Sequence, residues 1–324
     1  MVWIIIALSC AAFALLIYSI ICALLLLRNG VMRKDGGEDL NYDEKRDHDK
    51  KPKPKVSQFR QCSFPYNKWW NSQNLEFHTI ESEDGLKLVG GLLRAPVPTK
   101  KIALVIHGHR CVSGEMGFIS KLYSEFGFNV FAPDQRAHGK SEGKYIGMGT
   151  LERDDMLRWI NMLCGIFGDD CEIVLHGISM GAATVMTTCK NPAPKNIVCA
   201  IEDCGFTNAY SSFLFHMHRD YNYMPFKSLI IHVASLMNLF MGKYSFWVHS
   251  PLHALPHSEI PMLFIHGTHD NVVPFDMLRT LYDAHRHSDR KMLIVEGAAH
   301  GVSYFQDPKL YTDTVSHFVQ RYLS

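Results

Sequence analysis

A serine inside a G-x-S-x-G pentapeptide, Gly177–Gly181, is the first candidate for chemistry in this chain. The preceding segment, Glu172–His176, is short and has an apolar, partly β-branched centre, which predicts a buried strand. The following run 182–190, stopped by an Asn-Pro pair, predicts a helix. A strand, a sharp turn carrying a serine and then a helix form a nucleophile elbow, whose two glycines avoid collisions with the neighbouring strand and helix. Ser179 is therefore the predicted nucleophile.

A nucleophilic serine needs a general base, and the base needs a group that orients it. The elbow requires the chain order serine, acid, histidine. An apolar segment, 261–266, leads into a turn at Asp270, and another, 291–295, leads into a loop that carries His300. Both residues follow the carboxyl ends of predicted strands, where open α/β sheets place their sites. We expect His300 to act as general base and then acid, and Asp270 to fix the imidazole tautomer.

A second acidic position competes with Asp270. The predicted strand 197–202 runs into Glu202 and Asp203, and either carboxylate could orient the histidine from the neighbouring strand. Asp203 could instead cap the helix that follows. Asp270 is favoured because Val273-Pro274 in its loop resembles the acid loop of many such enzymes.

The tetrahedral intermediate of acyl transfer needs two N–H donors, an oxyanion hole. The residue after the nucleophile supplies one, the backbone N–H of Met180. The loop after the predicted strand Lys101–Ile106 supplies the other, because Gly108 lets the N–H of His109 turn towards the serine. The side chains of His109 and Arg110 could face an anionic substrate group or solvent, and solvent is favoured because exposed arginine is common.

Five stretches of the chain resemble the α/β-hydrolase superfamily, in particular the bacterial serine hydrolases grouped as serine aminopeptidase-like and monoacylglycerol lipase-like proteins. They are Ile106–His109, Val130–Gly143, Gly177–Ala182, Ile265–Asp270 and Gly297–His300, within residues 75–324. The resemblance implies the α/β-hydrolase fold, the triad and the oxyanion loop, and it leaves the substrate open. Ala137 departs from the family pattern, which usually has glycine at that position.

Alternating strand and helix patterns predict a mostly parallel, eight-stranded sheet with helices on both faces. The predicted strands are 76–80, 87–94, 102–106, 129–132, 172–176, 197–202, 261–266 and 291–295, and the predicted helices are 115–126, 150–166, 180–190, 275–286 and 308–322. The segment of about 206–257 breaks the alternation and predicts a two-helix lid over the serine. Phe213 and Phe215 are candidates for its apolar acyl pocket, although ordinary packing on the body would explain the same residues.

The first 27 residues predict a transmembrane anchor. Val2–Leu27 carries no charge and is long enough to span a bilayer, and it lacks the features of a cleaved signal peptide. Arg28, Arg33 and Lys34 follow it, so the positive-inside rule predicts a single-pass protein whose catalytic domain faces the cytoplasm. The charged stretch 28–60 predicts a flexible linker, and 61–324 the hydrolase domain.

Composition narrows the remaining possibilities. A net charge of +1 gives no reason to expect nucleic acid, and the nine cysteines, without a C-x-x-C motif, predict reduced thiols rather than a disulfide framework. No cofactor is expected. A zinc site formed by His107, His109, His266 and His269 is conceivable, but no metal-binding helix motif supports one, so no metal is predicted.

Together these features predict a membrane-anchored serine hydrolase that cleaves carboxylic esters of a small-molecule or acyl substrate through an acyl-enzyme. A serine peptidase such as an aminopeptidase would use the same triad, but it would need an acidic pocket for the substrate amine. Asp220 is the only obvious acid of the predicted lid. A non-catalytic binding protein with this fold is the third reading, and the intact triad argues against it.

Overall fold

The computed structural model describes residues 1–33 and 57–324. The strands are β1 (Glu76–Glu81), β2 (Lys87–Leu93), β3 (Lys101–Ile106), β4 (Asn129–Asp134), β5 (Glu172–Ile178), β6 (Ile197–Asp203), β7 (Met262–Gly267) and β8 (Arg290–Val295). The helices are α1 (Val2–Gly30), α2 (Gln58–Asn71), α3 (Gly117–Glu125), α4 (Glu152–Phe167), α5 (Met180–Thr188), α6 (Ala209–Asp220), α7 (Lys227–Met241), α8 (Pro251–Ala254), α9 (Asp276–Ala284), α10 (Ser303–Gln306) and α11 (Pro308–Gln320).

The eight strands form one sheet in the order β1-β2-β4-β3-β5-β6-β7-β8. β1 pairs antiparallel with β2, and β2 with β4, whereas β4, β3, β5, β6, β7 and β8 are parallel. The predicted mostly parallel, eight-stranded sheet with helices on both faces is confirmed. The antiparallel edge follows from the turn at Gly85, whose φ of 81° is accessible to glycine without strain.

Two apolar cores cover the two faces of the sheet. Along β3, Ala103 and Val105 belong to one core, and Ile102, Leu104 and Ile106 belong to the other. This alternation explains why the strand reads as a continuous apolar run, since a parallel strand in the middle of such a sheet is buried on both sides. All of these side chains are fully buried.

The chain between α1 and the sheet is folded at both ends of the predicted linker of residues 28–60. Val31 is buried, Met32 forms an isolated β-bridge with Tyr145, and Arg33 donates to the carbonyl oxygens of Ser141 and Gly139 at 2.6 and 2.8 Å. On the other side, α2 begins at Gln58 and buries Trp70 in the core. The rest of the predicted linker lies outside the described residues.

A third apolar cluster joins α1 to the insertion of residues 206–257, which contains α6 and α7 and which we call the α6–α7 insertion. It includes Ala23 and Leu27 of α1, Phe213 of α6, Ile230 of α7, and Met180 directly after the predicted nucleophile. The apolar helix therefore does not stand apart from the domain, because its second half packs on the insertion.

Candidate active site

The turn between β5 and α5 holds Ser179 in a conformation that few residues adopt. Its φ is 58° and its ψ is −117°. A Cβ on Gly177 would lie 2.2 Å from the carbonyl oxygen of Gly181, and one on Gly181 would lie 2.1 Å from that of Ile106. Both contacts are with backbone that cannot yield. The two predicted elbow glycines are thus what the close approach of β3, β5 and α5 requires, and the strain is of the kind found at functional sites.

The structure brings the three predicted triad residues together from three separate loops. His300 Nε2 lies 2.9 Å from Ser179 Oγ, and His300 Nδ1 lies 2.7 Å from Asp270 Oδ2. The Asp270 side chain is fully buried, whereas that of His300 is 18% exposed. A serine, an imidazole and a buried carboxylate in this chain of hydrogen bonds can transfer a proton away from the serine hydroxyl. We refer to these residues as the triad.

Backbone and side-chain donors fix the orientation of Asp270. Its Oδ1 accepts from the N–H groups of Val272 and Val273 at 2.8 and 2.9 Å. Its Oδ2 lies 3.2 Å from Nε2 of the buried His266 as well as 2.7 Å from His300. Burial by itself would raise the pKa of Asp270, but the hydrogen bonds from His266 and His300 outweigh it and hold the pKa well below its usual value. The carboxylate is therefore ionised at neutral pH.

Sequence reasoning considered His266 only as a possible metal ligand, and the structure gives it another position. Burial disfavours its charged form, yet the hydrogen bond to Asp270 and the nearby Glu202 carboxyl group raise its pKa. The sequence position of His266 could have indicated this contact. His266 lies near the end of β7, four residues before Asp270, and the turn between them brings the two side chains together.

The competing carboxylates do not contact His300. Asp203 accepts from the Tyr311 hydroxyl at 3.0 Å and lies 3.3 Å from Ser303 Oγ. Glu202 accepts from the N–H of Gly205, and burial raises its pKa to about 8. The cap of α6 is Asn208, which accepts from the N–H of Ser211 at 2.7 Å, and not Asp203.

The loop after β3 approaches the serine as the oxyanion prediction requires. A Cβ on Gly108 would lie 3.4 Å from Ser179 Cβ and 3.8 Å from its Oγ. The backbone that leads into His109 therefore passes beside the nucleophile, opposite the start of α5 at Met180. These two N–H groups remain the candidate oxyanion donors.

The side chains of His109 and Arg110 face α1, not solvent as expected. His109 Nε2 lies 2.8 Å from the carbonyl oxygen of Gly30, and Arg110 Nη2 donates to that of Asn29. Burial lowers the pKa of His109 to about 3, so it is neutral and donates this hydrogen bond. The last turn of α1 is thereby attached directly to the predicted oxyanion loop.

The loop in which Ala137 replaces the usual glycine keeps the glycine-like backbone. Ala137 has a φ of 61°, and its N–H donates to the carbonyl oxygen of Glu142 at 2.8 Å. His138 in the same loop accepts from the N–H of Arg110 at 2.9 Å. The loop therefore holds a non-glycine residue in the left-handed region, at the cost of backbone strain.

The histidines considered for zinc do not converge. His107 Nε2 accepts from the N–H of Gln135, and burial lowers the pKa of His107 to about 4. Within residues 1–33 and 57–324, the group with metal-ligand spacing is Cys204, Asp270 and His300. Two of these are triad members, and burial raises the pKa of the Cys204 thiol well above its usual value, which disfavours the thiolate that a metal needs.

Helix α2 packs against the loop of His300 and the loop after β3, and sequence reasoning missed these contacts. The Phe59 ring lies 3.0 Å from the Cβ position of Gly301, next to His300. Arg60 pairs with Glu115 at 3.0 Å and donates to the carbonyl oxygen of Arg110 at 2.8 Å. Only the aromatic spacing of residues 59–70 signalled this helix, because it follows a long charged stretch.

Helix α6 of the α6–α7 insertion contacts the loop of Asp270, because Arg219 donates to the carbonyl oxygen of Asn271. Phe213 is buried against Phe246, with ring centroids 5.0 Å apart, and it would contact a Cβ on Gly30 at 2.8 Å. Phe215 is half-buried beside His216. His216 is close enough to His300 and Asp270 for their charges to affect its pKa, which burial lowers. Of the two predicted pocket residues, Phe213 therefore contacts the end of α1, and Phe215 lies on α6 beside His216.

Comparisons with known proteins agree with this architecture. The profile of the family described as serine aminopeptidase, S33, matches residues 97–204, and that of the serine hydrolase (FSH1) family matches residues 171–303. The Pyrococcus furiosus esterase Pf2001 superposes with a TM-score of 0.63 at 21% identity, over 84% of this chain and 99% of the esterase. This chain has the α/β-hydrolase fold.

This hydrolase also shares its fold with the acylaminoacyl peptidase of Pyrococcus horikoshii, with a TM-score of 0.58 at 17% identity over 79% of this chain and 43% of the peptidase. Its sequence is similar to Bacillus subtilis YqkD, 27% identical over 69% of this chain and 73% of YqkD. It is also similar to the Saccharomyces cerevisiae membrane protein YNL320W, 23% identical over 74% of this chain and 78% of the yeast protein.

Proposed function

We propose that this serine hydrolase cleaves carboxylic esters through an acyl-enzyme intermediate formed on Ser179. The observation that carries the proposal is the unbroken hydrogen-bonded chain from Ser179 Oγ through His300 to Asp270. The strained elbow and the adjacent Gly108 loop support it, because they place the hydroxyl of a half-buried serine beside two candidate oxyanion donors.

The proposed reaction has two halves. His300 Nε2 takes the proton as Ser179 Oγ bonds to the ester carbonyl carbon, and the N–H groups of His109 and Met180 stabilise the oxyanion. The C–O bond to the alcohol then breaks, and His300 gives its proton to that alcohol. In the second half, water attacks the acyl-enzyme with His300 again as base, which releases the acid and restores the serine. Asp270 remains ionised throughout and holds the imidazole.

The peptidase alternative has one observation in its favour, the match of residues 97–204 to the serine aminopeptidase profile. An aminopeptidase needs a carboxylate that is available to the substrate amine. Asp220, the acid of the insertion, is paired with Arg219 at 2.7 Å, and this pairing lowers its pKa. The ester is therefore the favoured bond.

A fluorophosphonate probe and a series of p-nitrophenyl esters test the proposal. Wild-type protein should be labelled on Ser179 and should hydrolyse esters faster than matched amino-acid p-nitroanilides. Labelling at Ser179 with faster amide cleavage would favour the peptidase. An unlabelled, folded protein without turnover of either substrate would refute catalysis.

Membrane anchoring by α1 is a further part of the proposal. The 29-residue helix is long and apolar enough to cross a bilayer, and most of its surface is exposed. We expect the protein to stay in the membrane fraction after alkaline carbonate extraction and to resist protease added outside intact cells. Extraction by carbonate would contradict the anchor, and external digestion would contradict the cytoplasmic orientation.

A further inference from the structure

One face of α1 packs on the domain along the second half of the helix. Its buried or half-buried positions recur at helical spacing, at Leu15, Tyr18, Ser19, Cys22, Ala23, Leu26, Leu27 and Gly30. Five of them, Tyr18, Cys22, Ala23, Leu26 and Leu27, belong to the third apolar cluster together with residues of the α6–α7 insertion. α1 and α7 therefore pack side by side along the second half of α1.

The opposite face of the same part of α1 remains apolar and exposed. Its side chains are between 36% and 52% exposed, and they are Leu16, Ile17, Ile20, Ile21, Leu24 and Leu25. Lipid that covers this face must extend down to Leu25 and so must reach the level of α7 on the other side of the helix.

The outer face of α7 is suited to the same lipid. Leu236 and Phe240 are 58% and 82% exposed, and Leu229 and Leu239 lie on the same side. After Lys227 the helix contains no aspartate, glutamate, lysine or arginine. An exposed apolar face of this kind needs an occupant, and its continuity with the apolar face of α1 indicates a bilayer and not a protein partner.

The turn before α7 adds exposed aromatic side chains at the N-terminal end of the helix. Tyr223 is 82% exposed and Phe226 is 57% exposed, and Phe226 is held at a φ of 57°, which a bulky residue rarely adopts. Lys227 Nζ donates to the carbonyl oxygens of Asn222 and Met224 and closes the turn. Tyrosine, phenylalanine and lysine in one exposed turn are typical of the membrane interface.

The same packing brings lipid close to the triad. Leu25 lies five residues before Gly30, or about 8 Å along the helix, and Gly30 bonds to His109 of the predicted oxyanion loop. We propose that the outer face of α7 and the turn before it dock on the leaflet that α1 enters, and that the enzyme takes a membrane-resident acyl ester from that leaflet. This inference rests on the proposed anchoring and ester hydrolysis.

Photo-crosslinking tests the docking in the full-length protein in phosphatidylcholine nanodiscs. p-Benzoylphenylalanine at Tyr223 or Phe240 should give lipid adducts by intact mass, as should the same residue at Trp3 in α1. Phe77, 56% exposed on the edge strand β1, is the matched control and should give none. Adducts at Trp3 without adducts at Tyr223 and Phe240, or cross-links to a second copy of the chain, would overturn the docking. No adduct at Trp3 would refute the anchoring itself.

Kinetics test the substrate. The double variant Tyr223→Asp/Phe240→Asp should lose about tenfold activity on a long-chain fluorogenic ester dissolved in the nanodisc. It should hydrolyse soluble p-nitrophenyl butyrate at the wild-type rate. Val97→Asp, at a residue that is 74% exposed in the loop before β3, should behave as wild type on both esters. Equal effects on the two esters would overturn delivery from the leaflet. A wild-type protein inactive on both would instead refute ester hydrolysis.

Discussion

The carboxyl edge of the sheet carries Ser179, Asp270 and His300, and we call it the triad edge. The surface built by α1 and the α6–α7 insertion lies beside it, and different forces stabilise the two regions. At the triad edge, short hydrogen bonds to ionised or backbone groups fix the side chains, and the surrounding chain holds the backbone of Ser179 at a positive φ. In the insertion, apolar contacts dominate and large side chains such as Phe240 remain exposed. Hydrogen bonds with one correct geometry suit chemistry, whereas adaptable apolar contacts suit selection of substrate and location.

The largest expected effect separates the two regions most sharply. Ser179→Ala removes the attacking oxygen while leaving the fold intact, so kcat on p-nitrophenyl butyrate should fall by about six orders of magnitude. Fluorophosphonate labelling should disappear. Ser316→Ala on α11 is the control and should retain both. A folded Ser179→Ala variant with wild-type turnover would show that the triad is not the catalytic centre.

Asp270→Asn should have the next largest effect, through the histidine tautomer. The N–H groups of Val272 and Val273 donate to Oδ1, so the amide oxygen must take that position and the NH₂ group must face His300. His300 Nδ1 would then accept and Nε2 would carry the proton, which prevents it from acting as base. We expect kcat to fall by about four orders of magnitude.

Asp203→Asn is the matched control for that prediction. It weakens the hydrogen bond from Tyr311 and should cost about 1–3 kcal/mol of unfolding free energy with far less loss of kcat. A greater loss of kcat in Asp203→Asn than in Asp270→Asn would mean that the acid has been assigned to the wrong strand.

The contrast between the regions also explains which features could be predicted from the sequence. Strand periodicity and the punctuation after each strand predict the sheet and the loops at its carboxyl edge, because topology alone brings Ser179, Asp270 and His300 to one side. The contacts of Gly30 with His109 depend on how a helix over a hundred residues away from the elbow packs in space, and no local pattern encodes that.

The packing of α2 could not be predicted from the sequence for a similar reason. Its charged upstream neighbours predict a linker, whereas its helix is stabilised by tertiary contacts such as that of Arg60 with Glu115. The sequence could predict that Phe215 belongs to the insertion. It could not predict which face of the insertion is turned towards the triad, because apolar side chains suit either face.

A buried carboxyl group should make the stability of the triad edge depend on pH. Burial raises the pKa of Glu202 from 4.5 to about 8. Between these values the native state keeps a proton that the unfolded state has released, so this group lowers stability as the pH rises through that window, by up to about 1.4 kcal/mol per pH unit. Glu202→Gln removes the effect, so its advantage in Tm over wild type should grow from pH 5 to pH 8.

The comparison for that measurement is Glu83→Gln in the exposed turn between β1 and β2, which should follow the wild-type curve. All three proteins are melted at full length in the same detergent at pH 5, 6.5 and 8. Parallel curves for wild type and Glu202→Gln would mean that the buried carboxyl group does not take up a proton on folding.

The smallest effects should come from the insertion, as changes in preference without loss of chemistry. Phe215 lies half-buried on α6, and its neighbour His216 is close enough to His300 and Asp270 for their charges to affect the pKa of His216. An apolar pocket gains about 0.8 kcal/mol per buried methylene, or roughly fourfold in kcat/KM. We therefore expect wild-type kcat/KM to rise from acetyl to short- and medium-chain p-nitrophenyl esters. Phe215→Ala should flatten this rise while acetyl ester turnover is retained.

Phe213→Ala is the companion variant for this test, because the Phe213 ring packs between Gly30 and Phe246. Its removal leaves a cavity and should cost about 3–5 kcal/mol of stability together with any change in chain-length preference. Phe64→Ala, at an exposed ring on α2, should change neither property. If Phe215→Ala instead abolished acetyl ester turnover as Ser179→Ala does, the insertion would be part of the chemistry, and the division between an edge that reacts and a surface that selects would be lost.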